Sequence, residues 1–105
     1  MKIGGFKHRI LFQREIKTDD SAHGHTKSWN DVVEVWAKVR PLSGREVFFT
    51  HQLKNTITHL INVRYRDDID TELRIKFGTR IMKIESMINL NERGKFLEIR
   101  CEEEM

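Results

Sequence analysis

The fold is decided by the segment Val35-Trp36-Ala37-Lys38-Val39-Arg40-Pro41-Leu42-Ser43-Gly44-Arg45-Glu46, in which the pattern of a strand gives way to that of a helix. Apolar residues fill every second position from Val33 to Val39, which places them on one face of a half-buried strand. Pro41 ends that strand because it has no amide proton for the ladder. The next residues, Ser43 to Glu46, have the capping-box spacing, so the sequence predicts a short helix beginning near Gly44.

Alternating apolar residues recur along the rest of the chain in short segments. The second strand should cover residues 29–40, and further strands are predicted at residues 8–15, 57–65, 73–77, 80–84 and 96–101. Gly78 and Thr79 suit a two-residue turn between the fourth and fifth strands. Short strands in such number favour a small antiparallel barrel or sandwich, since closure removes exposed strand edges. The predicted fold is mainly β: a small antiparallel β-barrel of about six strands with one short helix and a long exposed loop.

Side-chain orientation follows from the same periodicities. In the first strand, positions 8, 10 and 12 should form the inner face. In the helix, predicted from Ser43 to about Leu53, the inward-packing candidates are Val47, Phe48 and Leu53. His59 falls on the inward side of its strand, where we expect a hydrogen-bonded structural histidine.

The predicted loop covers Lys17 to Asn30, which is rich in turn-forming residues and has almost nothing to bury. Loops of this length are uncommon in compact domains and are often functional. Within it, His23-x-His25 could bind a metal together with Asp19 or Asp20. Because the glycine between the two histidines leaves their geometry unfixed, a polar loop without a metal site is the better interpretation.

The chain has 105 residues, which suits one domain over residues 1–105 with a single core. Its apolar fraction of 38% and charged fraction of 33% are typical of a small protein with a solvated surface. The net charge of +3 admits acidic partners without requiring them. The single cysteine, Cys101, excludes an intrachain disulfide and a thiolate cluster, and no apolar stretch is long enough to predict a membrane span.

No set of residues predicts catalysis. The pairs Asp19-Asp20 and Asp67-Asp68 lie in predicted turns, where exposure leaves a carboxylate ionised and chemically ordinary. Ser43 is accounted for by capping, and the acidic residues after Cys101 should raise the pKa of its thiol. We therefore expect no enzymatic activity, no cofactor and no metal.

The segment Arg64-Tyr65-Arg66 interleaves an aromatic ring with two guanidinium groups, as barrels that bind single-stranded nucleic acid do. Alternation predicts, however, that Tyr65 faces the core with Ile61 and Val63, which leaves the arginines on a solvated face without a second stacking ring. A small β-barrel module that contacts DNA phosphates independently of sequence is therefore kept as the alternative function.

The segment from Val35 to Glu46 resembles the signature of tailed-phage head-tail joining proteins, also called head closure or head-tail adaptor proteins. Phe12-Gln13-Arg14 resembles the first strand of that family, and Gly24 followed by Trp29 resembles the approach to its second strand. The residues from His59 to Arg66, with Asp68-Ile69 after them, are similar to its third strand and following turn, and residues 88–102 are similar to its closing segment. Together these pieces cover nearly the whole chain.

The resemblance implies a structural component of the virion that joins the phage head to the tail and closes the DNA-filled head. It implies a homo-oligomeric ring on assembly, formed from a protein that is monomeric when isolated. The implied partners are the portal or adaptor ring and the tail proteins of the same phage, with non-specific contact to packaged DNA and no membrane. Assembly would take place in the cytoplasm of the bacterial host.

A ring subunit needs polar faces and a contact with each neighbour, so exposed polar residues are the candidates for partner interfaces. They lie in the predicted loop, on the outer face of the second strand, at the start of the helix and on the third strand. These candidates are Asp19, Asp20, His23, His25, Lys27, Lys38, Arg40, Arg45, Arg64 and Arg66.

Overall fold

The computed structural model describes residues 5–20, 24–52 and 56–104. These residues form six strands and one α-helix, in the order β1 (His8–Asp20), β2 (Gly24–Pro41), α1 (Gly44–Gln52), β3 (His59–Arg64), β4 (Arg74–Phe77), β5 (Arg80–Asn89) and β6 (Phe96–Glu103). The strands close into an antiparallel barrel with the neighbour order β1-β2-β3-β6-β5-β4. The predicted barrel with one short helix is confirmed.

The barrel is filled by the inward side chains of its strands and of the connection before β4. The buried core cluster consists of Ile10, Phe12, Ala37, Ile61, Val63, Ile69, Leu73, Ile75, Met82, Ile84, Leu97, Ile99 and Cys101. Val33, Val35 and Val39 of β2 pack against this cluster, as the alternation predicts. Full burial of an aliphatic side chain contributes about 1.5–3 kcal/mol relative to exposure, so this interior is the main source of stability.

The junction between β2 and α1 follows the predicted capping box. The amide of Glu46 donates to Ser43 Oγ at 3.2 Å, and the amide of Ser43 donates to Glu46 Oε1 at 3.2 Å. The hydrogen bond from the Ser43 amide first, and the Ser43 side chain second, lower the pKa of the Glu46 carboxyl. The helix start is therefore fixed by residues within one turn of it.

The hairpin between β4 and β5 is also where the sequence predicts it. Phe77 pairs with Arg80 across the turn, and Gly78 has a φ of 63°, a conformation that favours glycine. β3 and β6 match the predicted segments to within two residues at each end.

The predicted loop over residues 17–30 is wrong, because the described part of that segment is strand. β1 continues to Asp20 and β2 starts at Gly24, and these two residues pair with each other. Turn-forming composition misled the prediction, since an antiparallel ladder satisfies backbone amides whatever the side chains. We call residues 14–20 and 24–30 the hairpin arm.

The hairpin arm leaves the barrel at a β-bulge. Phe12 pairs with Val33 but Gln13 pairs with Asp31, so Val32 is the extra residue. The radius of gyration is 15.1 Å and the principal extents are 50 × 30 × 26 Å, whereas a compact domain of this length has a radius of about 13 Å. The difference reflects the projection of the arm.

The predicted inward-facing residues of β1 and α1 are confirmed only in part. His8 is exposed, because it is the first residue of β1 and lies at the rim of the barrel. In α1, Val47 is half-buried, while the side chains of Phe48 and Leu53 lie outside the described part of the structure.

Replacing Ile61 with alanine tests the barrel core. Ile61 is 0% exposed, so Ile61→Ala leaves a cavity and should lower the free energy of unfolding by about 2–5 kcal/mol. Urea denaturation followed by circular dichroism measures it. Val32→Ala, on the exposed bulge, is the matched control and should change it by less than about 0.5 kcal/mol. Equal losses in the two variants would contradict this core.

Candidate docking surfaces

The residues predicted as interface candidates lie in three separate regions, and the first is the hairpin arm. In its ladder Asp19 lies opposite His25, and Asp20 lies opposite Gly24. Lys27 belongs to the same segment of β2. The two aspartates therefore end a strand, whereas the sequence predicts a turn for them. The arm gathers these residues at a distance from the barrel.

Of the hypothetical metal pair His23-x-His25, His25 belongs to this region and His23 lies outside the described residues. Within residues 5–20, 24–52 and 56–104, no three His, Cys, Asp or Glu side chains come close enough to hold an ion. The interpretation of this segment as polar and metal-free stays a prediction.

The second region is the junction of β2 and α1. Lys38 and Arg40 are exposed on the outer face of β2, and Arg45 is exposed in the first turn of α1. Arg40 Nη1 lies 3.6 Å from Glu46 Oε1, an exposed pair that contributes little free energy. Lys38 and Arg45 have no ion pair among the described residues, so this face is weakly cationic.

The third region is a groove of about 520 Å³, which we call the aromatic groove. It is lined by Phe6, Val35, Trp36, Arg64, Tyr65 and Arg66. Tyr65 is 45% exposed and Trp36 is 55% exposed. The prediction that Tyr65 faces the core is wrong, because β3 ends at Arg64 and the alternation of faces holds only within a strand. The expected lack of a second ring is wrong as well, since β2 brings Trp36 into the same groove.

The wall of the aromatic groove formed by Phe6 and Trp36 is held by aromatic contacts. Phe6 packs edge-on against Phe96, with ring centroids 5.8 Å apart. The guanidinium of Arg9 lies 5.3 Å from the Trp36 ring centroid and forms an ion pair with Glu34. Such a cation–π contact restrains the indole although the ring is exposed.

The part of the groove lined by Tyr65 and Arg66 is held by polar contacts. The amide of Tyr65 donates to the carbonyl of Lys95 at 2.9 Å. Arg66 donates to Asp68 through Nε at 2.8 Å and Nη2 at 2.7 Å, which lowers the pKa of the Asp68 carboxyl and raises the pKa of Arg66. Arg64 has no ion pair within the described part of the chain. Among the described residues that line the groove, Arg64 is thus the cation without an ion pair.

The base of the hairpin arm is held by a partly buried polar cluster around Gln13, which the sequence did not predict. Gln13 Nε2 donates to Asp31 Oδ1 at 2.9 Å, and Arg74 Nε donates to Gln13 Oε1 at 2.9 Å. The Arg74 guanidinium lies 3.9 Å from the Trp29 ring centroid. The available signal in the sequence was Gln13, a polar residue at the point where the alternation of β1 stops. No spacing rule connects Gln13 to Asp31 or Arg74.

His59 is buried and hydrogen-bonded, as predicted. Its Nε2 lies 3.1 Å from Arg80 Nη2, and its Nδ1 lies 2.9 Å from Thr58 Oγ1. Since arginine only donates, Nε2 accepts and the proton is on Nδ1. Burial first, and the charge of Arg80 second, lower the pKa of His59 against the opposing effect of Glu103. The neutral imidazole therefore links β3 to β5.

Cys101 is a core residue with 0% exposure. Burial, and to a lesser extent the Glu103 carboxylate, raises the pKa of the Cys101 thiol to about 12. The predicted direction is confirmed, although the acidic neighbours are the smaller cause. The thiol fills space in the barrel interior.

In the described residues, then, the buried ionisable groups have structural roles, and the distinctive chemistry lies on exposed surfaces. A closed barrel with a projecting arm and a preformed groove defines a class of protein: a small scaffold that acts by docking to other macromolecules.

The family model described as phage head completion protein matches residues 1–104. The chain belongs to that family, which confirms the resemblance found in the sequence. No curated protein matches it.

The solved structures that resemble the chain include two that are informative about its fold. Protein SF1141 of Shigella flexneri 2a, determined in solution, is 30% identical with a TM-score of 0.74, and the match covers 98% of this chain and 96% of that chain. A chain of the virion of a native gene transfer agent particle is 22% identical with a TM-score of 0.60, covering 90% of this chain and 91% of that one. At that identity the second likeness is one of fold.

Family membership makes the chain a structural protein of the phage virion with a role in joining head to tail. It associates there with other phage structural proteins. None of the described helices has the length and apolarity needed to cross a membrane.

Acidification should destabilise the protein through His59. The pKa of His59 is lower in the folded protein than in the unfolded chain, where it is about 6.5, so the folded state binds fewer protons. This contribution to stability is full above about pH 6.5 and is lost as the pH falls towards the folded pKa. Urea denaturation between about pH 7.5 and pH 5.5 measures it.

His59→Gln should flatten this pH profile, whereas His8→Gln, which leaves the buried imidazole in place, should retain the fall. An unfolding free energy that rises on acidification would contradict the assignment of a neutral His59.

The Cys101 thiol should resist labelling in the folded protein. Its pKa of about 12 leaves almost no thiolate at neutral pH, and burial blocks the reagent. A chromogenic disulfide reagent should label it only after denaturation in concentrated guanidinium. Lys76→Cys, at an exposed position of β4, is the control and should label at one site without denaturant. Rapid labelling of native wild-type protein would count against the buried thiol.

Proposed function

We propose that the chain is one subunit of a homo-oligomeric ring that closes the DNA-filled phage head and presents a surface to the tail. The portal or adaptor ring is its partner on one side, and the tail proteins are its partners on the other. Residues 1–105 act as a single head-tail joining domain in this proposal, and no catalytic step is assigned to it. The match of the family model to residues 1–104 supports the proposal.

The observation that carries the ring is the hairpin arm. β1 pairs with β4 only at Leu11 to Gln13, and β2 pairs with β3 only at Ala37 to Pro41. Within the described residues, the arm strands therefore pair only with each other, over a reach of roughly 20 Å at 3.3 Å per residue. A two-stranded ribbon is marginally stable in water on its own, so the arm gains order from a neighbouring subunit.

Ring geometry follows from this unequal division of surfaces. The arm of one subunit and the barrel of the next make a contact between two different patches, which generates a closed ring when the rotation between copies closes. The barrel needs no strand from another subunit to complete its sheet, because its own strands close it. The isolated protein is therefore monomeric, and the ring forms on the head.

The DNA-binding alternative has little support from the described surface. Binding to the phosphate backbone requires several cations along one track that are free to displace counterions. Arg14, Arg66 and Arg80 are paired with carboxylates, and cations without an ion pair in the described chain are divided between separate surfaces, with Lys38 and Arg45 in the second region and Arg64 in the aromatic groove. Non-specific contact with packaged DNA stays an expectation at the second region, where Lys38 and Arg45 are free of ion pairs within the described chain.

Shortening the hairpin arm tests the proposal. In an arm-short variant, residues 17–27 are replaced by Asn-Gly, which suits a two-residue hairpin turn. A phage lacking this gene is complemented from a plasmid with wild type, the arm-short variant or Val32→Ala. Without complementation we expect DNA-containing heads that leak DNA and fail to join tails, scored by electron microscopy, nuclease sensitivity and plaque titre. Wild type and Val32→Ala should restore tailed particles.

The arm-short variant should fold, with a cooperative thermal transition, and sediment as a monomer like the wild type, yet fail to restore plaques. Infectious tailed particles without the gene would overturn the head-closure proposal. Full complementation by the arm-short variant would remove the role of the arm.

A further inference from the structure

We infer that the aromatic groove is a docking site for an acidic segment of a partner protein that carries a large apolar side chain. The inference rests on the proposed function only in naming another virion protein as the source of that segment. The geometry of the groove and its charge carry the rest.

The first observation is the clustering of exposed aromatic side chains. Among the described residues, the exposed large hydrophobic side chains are Val32, Trp36 and Tyr65, at 38%, 55% and 45% exposure. Two of these three line one groove, together with two arginines. Trp, Tyr and Arg are the residue types that most often dominate binding energy at protein interfaces, and grouped exposed apolar surface marks such sites.

The second observation is that the groove is preformed. Arg9 holds the Trp36 ring from outside the groove, the Phe6 ring is packed against Phe96, and the Tyr65 backbone is bonded to Lys95. Because these walls are already ordered, little conformational entropy is lost when a partner binds. The volume of about 520 Å³ suits a few side chains.

The third observation is the charge at the groove. Arg66 is neutralised by Asp68 and Arg9 by Glu34, which leaves Arg64 as the groove cation without an ion pair in the described part of the chain. A guanidinium beside two rings is complementary to a carboxylate next to an apolar side chain. The sign of the free charge therefore selects an acidic segment.

The same balance of charge favours a protein segment over a nucleic acid. Stacking of bases on Trp36 and Tyr65 is sterically open, but a single strand carries a phosphate at every nucleotide and binds along a track of cations. Among the described lining residues, Arg64 is the one guanidinium without an ion pair, and it supplies one such contact. An apolar side chain with a flanking carboxylate uses both rings and the cation together.

The test measures binding of labelled ten-residue peptides to the full chain by fluorescence polarisation and amide chemical shifts. The first peptide has a central Leu-Phe pair flanked by glutamates. In the second, lysines replace the glutamates; in the third, serines replace the Leu-Phe pair. A labelled ten-nucleotide thymidine strand is the fourth probe. Trp36→Ala and Arg64→Gln are the groove variants, and Val32→Ala and Lys76→Ala are controls outside it.

We expect the first peptide to bind at least about fivefold more tightly than the other three probes, with shifts centred on residues 35–36 and 64–66. Trp36→Ala and Arg64→Gln should each weaken it by at least about fivefold, and the controls should not. Amide spectra of both variants establish that they are folded.

Equal binding of the acidic and basic peptides, or full binding by folded Trp36→Ala, would overturn the inference. Tighter binding of the thymidine strand at the same residues would replace it with a nucleic-acid site, and groove-dependent self-association would replace it with a second copy of the chain. Plasmid complementation does not enter these measurements. If the peptides bind without selectivity while the gene is required for head closure, only the docking inference is refuted. If the peptides bind selectively while heads close without the gene, only the proposed function is refuted.

Discussion

Closure of the barrel depends on a seam three residues long. β1 meets β4 only where Leu11 pairs with Lys76, Phe12 with Ile75, and Gln13 with Arg74. The middle pair is apolar and fully buried, and the last pair is joined a second time by the hydrogen bond from Arg74 to the Gln13 side chain. Without this seam the sheet would have two open edges. With it, the two strands of the hairpin arm still pair only with each other in the described part of the chain.

The features that the sequence predicted are those set by neighbours along the chain. Alternation from Val33 to Val39, the Ser43–Glu46 cap and the turn at Gly78 each depend on a few consecutive residues, and all three are present in the structure. The number of strands and their closure followed from these local patterns. Family membership followed from the order and spacing of the same segments.

The features that the sequence did not predict depend on contacts between distant segments. Alternation predicts a core position for Tyr65 only if β3 continues past Arg64, where it ends. The aromatic groove needed Trp36 of β2 beside Tyr65, and periodicity carries no information on that pairing. The loop prediction for the hairpin arm was wrong for a different reason. The polar side chains of the arm give no apolar alternation, whereas its strand structure comes from backbone pairing. The surfaces of this protein thus depend on contacts between residues far apart in the chain, which a single sequence does not reveal.

One strand, β2, takes part in every surface described here. It forms half of the arm, contributes Val35 and Trp36 to the groove, pairs with β3 in the barrel wall and ends at the proline before the helix cap. A hydrogen-bonded strand is stiff along its length, and the bulge at Val32 is its one break in register with β1. β2 therefore consists of two stiff segments that meet at the bulge. In the proposed ring, a load applied to the arm by a neighbour would reach the barrel at the Gln13–Arg74 pair, so the contact that closes each barrel would also bear tension between subunits.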